Sequence, residues 1–175
     1  MSLGKQIVEE LKTLAQRGPA QATGYIVTPQ GGTLTMIRES QRVVLELADH
    51  DRYSAALLAL ELRSPSPPLD EQDTHSYLHT RAADLVQRLS YLEEPLAVWE
   101  LDSREGLAQL RSCPPQQEGD DIFFWEVTLR TSDDTDAVHL TRYHWAPGLA
   151  GAEKLIYPAT FTLVGRLIDT LSAAE

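Results

Sequence analysis

The sequence holds a single cysteine, Cys113, in 175 residues. No internal disulfide can form, and nothing in the chain points to an oxidising compartment. Long apolar runs are also missing. The longest charge-free apolar stretch, Ser54 to Leu60, is far too short to cross a membrane. Between Met1 and Gln16 the apolar pattern is broken by Lys5, Glu9, Glu10 and Lys12, so this segment lacks the continuous core of a secretory signal. The expectation is a soluble, cytoplasmic protein with no export signal and no membrane association. Basic residues are scarce: 15 Lys+Arg stand against 26 Asp+Glu, a formal net charge of −11. Such a field repels phosphate backbones and anionic headgroups. Arg38, Arg42, Arg52, Arg63, Arg81 and Arg88 are scattered among acids and form no basic stripe, so no nucleic-acid partner is expected. No phosphate-cradling glycine loop, nucleophile elbow or CxxC pair occurs. The residues therefore indicate neither a catalytic set nor a cofactor.

What is present reads as one globular domain over residues 1–175. The length is near the mode for a single core, and 42% hydrophobic with 23% charged residues is ordinary for a folded chain. Ile7, Val8, Leu11, Leu14 and Ala15 recur at helical spacing, Ser2 can cap the start and Gly18-Pro19 stops the run, which predicts a helix over 4–17. Tyr25 to Val27 and Thr33 to Ile37 then read as short strands around Pro29 to Gly32. Alternation predicts a strand at Val43 to Leu47 and another over Tyr53 to Arg63, with Leu58, Leu60 and Leu62 on one face and Ala59 and Glu61 on the other. Ser64-Pro65-Ser66-Pro67-Pro68 is a connector, because prolines remove donors and extend their neighbours.

Asp70 is a plausible N-cap for a second helix over 71–92, carried by Leu78, Ala82, Leu85, Val86, Leu89 and Leu92. Leu96 to Leu101 and Leu107 to Arg111 form a hairpin, and Pro114 to Gly119 is polar and irregular. A second hairpin joins Ile122–Arg130 to Val138–Trp145 through the aspartate-rich loop Ser132 to Asp136. Pro158 suits the first turn of a closing helix with Phe161, Val164, Leu167, Ile168 and Leu171. Strands never alternate singly with helices, so the fold class is α+β: an antiparallel sheet with helices packed on it, in the order helix, meander, helix, hairpins, helix.

Three segments carry a resemblance. They are Gly31 to Ile37 followed by Arg42 to Leu47, then Leu96 to Asp102 followed by Gly106 to Leu110, then the closing amphipathic helix. In layout and spacing they resemble the type III secretion chaperone-like superfamily, which also includes the YbjN-like group. The hairpin from Asp121 to Trp145 is an insertion relative to the simplest members. The resemblance implies a small acidic cytoplasmic homodimer that holds a protein segment and carries out no catalysis.

Four residues stand out as candidate sites. His75 and His79 lie four apart in the second predicted helix, the spacing of a two-histidine metal clamp, with His139, His144 or Asp73 as a third ligand. No glutamate occupies the metalloprotease position between them, and the plainer reading is a solvated helix edge. Cys113 lacks an evident base, and Asp133 to Asp136 lacks the ligand spacing of a calcium loop. Trp99, Phe123, Phe124, Trp125, Tyr143 and Trp145 crowd into the later strands, and only one face of a sheet meets the helices. Phe124, flanked on its face by Ile122 and Glu126, and Trp145 are therefore candidates for a partner surface.

Overall fold

The structure, a computed structural model, describes residues 1–172. Along the chain run α1 (Leu3–Arg17), β1 (Tyr25–Thr28), β2 (Gly31–Arg38), β3 (Gln41–His50), β4 (Ser54–Pro65) and α2 (Glu71–Arg88). They are followed by β5 (Leu96–Asp102), β6 (Leu107–Ser112), β7 (Gln116–Glu118), β8 (Asp121–Thr131) and β9 (Thr135–Trp145). The last elements are β10 (Glu153–Lys154), β11 (Tyr157–Thr160) and α3 (Phe161–Ser172). Three helices packed on antiparallel sheet make the chain α+β, as its order of elements predicts. No described helix is long and apolar enough to cross a membrane. The chain divides into two compact units, Met1–Leu62 with the stretch from Ile156 onward, and Arg63–Leu155.

In the first unit, α1 begins where its sequence says it should, with the Ser2 hydroxyl accepting the Lys5 N–H at 3.2 Å. It ends at Gly18, whose φ of 88° is open to glycine at little cost. Strands β1, β2 and β3 form a meander, with Leu34 opposite Leu45 and Gly32 opposite Leu47. Gly31 is obligatory in this bend: its φ is 142°, and a Cβ there would lie 2.2 Å from the Leu47 carbonyl oxygen. Leu34, Val43, Leu45 and Leu47 are buried on the inner face, as are Ile7, Leu11, Leu14, Val164, Leu167 and Ile168 on the helices.

Two expectations for this unit are corrected. Pro158 does not open a helix but lies in β11, paired with Ala56, and α3 starts three residues later at Phe161. Proline is tolerated there because β11 is an edge strand, where a missing N–H costs no ladder bond. In β4 the buried series is Ala55, Leu57 and Ala59, then Leu60 and Leu62, with Leu58 half-buried. The switch of parity at Ala59-Leu60 defeats any reading that assigns the strand one constant inward face.

In the second unit, α2 starts at the Asp70 cap, whose carboxylate accepts the Asp73 N–H at 2.8 Å. It lies over β5, β6 and β8. The helix stops at Arg88 rather than 92, because Leu89 leaves helical geometry. Leu89 and Leu92 remain buried in the turns that follow, so the apolar spacing outlasts the helix. Against α2 are set Ala108, Leu110, Trp125, Val127 and Leu129. Strand β8 is paired over its length with β9, by β6 along its later half and by β7 along its start. The segment expected to be irregular therefore contains a short strand, since backbone pairing requires no apolar side chains.

Candidate functional site

The second unit has two unlike sheet faces. The inner one meets α2, and at one end it encloses a polar network. Arg142 and Glu94 are 5% and 8% exposed, and their side chains meet at 2.8 Å (Nη1 to Oε1) and 3.2 Å (Nη2 to Oε2). Arg142 also donates to Gln116 Oε1 at 3.0 Å and lies over the Trp125 ring. Ser112 Oγ donates to Glu94 Oε1 at 2.9 Å and accepts the Trp125 N–H at 2.8 Å. The Trp125 indole N–H reaches Glu93 Oε2 at 2.7 Å. A buried ion pair is tolerable only when its remaining donors and acceptors are met, as they are here. The network ties the chain after α2 to β6, β7, β8 and β9.

The outer face is aromatic. Pairing places Phe124 opposite Tyr143 and Ile122 opposite Trp145, with all four pointing away from buried Trp125. Phe124 and Tyr143 stack with ring centroids 5.6 Å apart. Arg111 sits one strand over, opposite Glu126, and bonds its carboxylate at 3.0 Å. Its guanidinium lies 5.3 Å from the Phe124 ring centroid and 5.5 Å from that of Trp99. Trp99 falls at the register shift between Val98 and Glu100 in β5, the last strand on that side. The shift turns both Val98 and Trp99 outward, at 46% and 60% exposed. A row Trp99, Arg111, Phe124, Tyr143 results. Arginine over aromatic rings is favourable, and large exposed indoles are enriched where proteins meet.

Phe124 and Trp145 thus share one face, but both are half-buried, and the most exposed aromatic ring on that face is Trp99. Alternation alone does not single out Trp99 as a surface residue, because it places a side chain on one face or the other and the bulge in β5 resets that count. Most of the chain's acidic surplus lies in this unit.

His75 and His79 are exposed on α2, one turn apart, with their rings nearly parallel and centroids 6.5 Å apart. Of the candidate third ligands, Asp73 lies on α2 near His75, whereas His139 is on β9 bonded to Thr141, and His144 pairs with Asp121 at 2.6 Å and stacks on Phe123. Among the described residues no three His, Cys, Asp or Glu side chains gather as a metal site. An open polar cleft of about 690 Å³ beside His75 is lined by Glu71, Asp73 and Ser103. Cys113 is exposed after β6, with its N–H bonded to the Pro95 carbonyl at 2.8 Å. In the aspartate-rich loop, Asp133 and Asp134 are exposed, whereas Asp136 is buried and receives the Tyr77 hydroxyl. Burial and that bond push the Tyr77 phenol up to about 12.

No family model, curated protein or solved structure matches this chain.

Proposed function

We propose that the chain is a non-catalytic protein-binding module, chaperone-like or assembly-factor-like, that acts in the cytoplasm as a homodimer. The observation that carries this reading is Trp99, an indole left largely in water on the edge strand of an aromatic sheet face. Exposing that much apolar area on a monomer is unfavourable, and covering it on association removes it from water. The acidic surplus of the same unit favours a basic or apolar protein segment as client and disfavours nucleic acid. The layout resemblance to secretion chaperone-like proteins agrees with this role.

Light scattering after size exclusion tests it. The wild-type chain is expected at twice the monomer mass, and Trp99→Ala at the monomer mass with an unchanged circular dichroism spectrum. A wild-type monomer that also fails to bind basic amphipathic peptides in fluorescence anisotropy would remove the proposal.

A second reading, a small-molecule- or metal-binding protein using His75 and His79, is favoured by their shared helix face and the polar cleft beside His75. Zinc titration calorimetry separates the two. Stoichiometric binding lost in His79→Ala supports the second reading, and no heat in the wild type ends it.

A further inference from the structure

The structure points to a second built feature, independent of the aromatic face, where α2 meets the hairpin of β8 and β9. Asp136 faces Thr131 on the last rung of that hairpin and is 8% exposed. Its two carboxylate oxygens are treated differently. Oδ2 receives the Tyr77 hydroxyl from α2. Oδ1 is buried, and no donor among the described residues reaches it. Asp136 lines a cavity of about 10 Å³ whose walls also include Tyr77, Arg81, Leu129, Arg130 and Thr131.

We infer that this cavity binds one ordered water molecule, which donates a hydrogen bond to Asp136 Oδ1 and thereby joins α2 to the β8–β9 hairpin. A buried carboxylate oxygen without a donor loses its hydration and gains nothing in return, so the site requires a donor. The volume admits one water and not two, since a buried water needs roughly 10–15 Å³ of such space. A metal cation is opposed by Arg81, which brings a positive charge to the same walls. A neutral, water-sized donor is what remains. The position explains why an aspartate at a hairpin end is buried at all. Thr131, across the rung, already shares its hydroxyl with Ser66 at 3.2 Å, and the Ser66 N–H bonds the Asp134 carbonyl at 3.0 Å. The solvent site completes a polar clasp that holds both ends of the aspartate-rich turn.

A crystal structure of the full chain at about 1.5 Å resolution tests this. The expected result is a single water peak about 2.5–3.0 Å from Asp136 Oδ1, with at least one further polar contact. Three results would overturn it: a dry cavity, a cation with short oxygen contacts, or the Arg81 guanidinium moved onto Oδ1. Asp136→Ala, crystallised in the same way, provides the control. The peak is expected to vanish, and a water retained at full occupancy without the carboxylate counts against the assignment.

Discussion

Asp169 on α3 caps the first turn of α1. The Gly4 N–H donates to its Oδ1 at 2.7 Å and the Ser2 hydroxyl to its Oδ2 at 2.8 Å. One carboxylate, brought from the far end of the sequence, thus satisfies a backbone donor that helix geometry leaves open and orients the Ser2 side chain that serves as the local cap. Removing it, as in Asp169→Ala, is expected to cost about 1–2 kcal/mol, in the range of capping losses. Asp169→Ser is expected to recover part of that. Urea denaturation at neutral pH measures both, and an unchanged midpoint for Asp169→Ala would show that water replaces the carboxylate without loss.

The same crossing depends on two glycines. A Cβ on Gly4 would sit 2.1 Å from the Gly165 carbonyl oxygen and 2.7 Å from the Asp169 carboxylate. On propensity alone, a glycine-to-alanine change in a helix is favourable by about 1 kcal/mol. Gly4→Ala is nevertheless expected to destabilise, because helix backbone lies in the way and cannot yield as a flexible side chain does. A rise in melting temperature would contradict the close approach.

The buried pair of Glu94 and Arg142 makes the next prediction. Glu94→Gln leaves the guanidinium with a neutral acceptor, and Glu94→Ala leaves it with none in that direction. The second change is expected to cost about 3–5 kcal/mol, the usual penalty for stranding a buried charge. Arg142→Met with Glu94→Leu is expected to be milder than either single alanine substitution. A double-mutant cycle by chemical denaturation reads the coupling; additivity would mean that the two groups do not share one site.

At a dilution where the chain is monomeric, Trp99→Ala is expected to change folding stability by less than about 0.5 kcal/mol, because its side chain is mainly in water. Trp125→Ala is expected to cost about 3–5 kcal/mol, because its ring is fully buried. The contrast separates a surface indole from a core one in a single denaturation series.

Tyr77 yields a pH prediction. Its neutral form is favoured by burial beside Asp136, so the folded phenol ionises near 12 rather than at the ordinary value. The unfolded phenol ionises near 10, so the stability due to this group is intact below about pH 10 and declines as pH rises through about 12. Ultraviolet titration of tyrosinate should show a late-ionising group that is missing in Tyr77→Phe. A Tyr77→Phe curve that overlays the wild type throughout would refute the assignment.

Local physics was legible in the order of residues. The periods of α1 and α3, the caps at Ser2 and Asp70, and the turns at Gly31 and Gly106 follow from spacing and backbone freedom, and from these the α+β class followed. Where side-chain periodicity and backbone conformation part company, the reading failed. Leu89 and Leu92 keep helical spacing beyond the helix, Pro158 reads as a helix start yet lies on a strand edge, and Gln116 to Glu118 pair without any apolar signal.

Tertiary structure alone decided which groups meet. Glu94 follows a helix and Arg142 sits within a strand, and neither position announces a partner. Asp169 caps a helix that begins at Leu3, and Trp99 is turned outward by a bulge that no alternation foretells. Such pairings depend on chain elements distant in sequence being brought together by burial of their apolar faces. Composition and period determine that those faces exist, but only the folded geometry decides which charge, ring or donor lies opposite another.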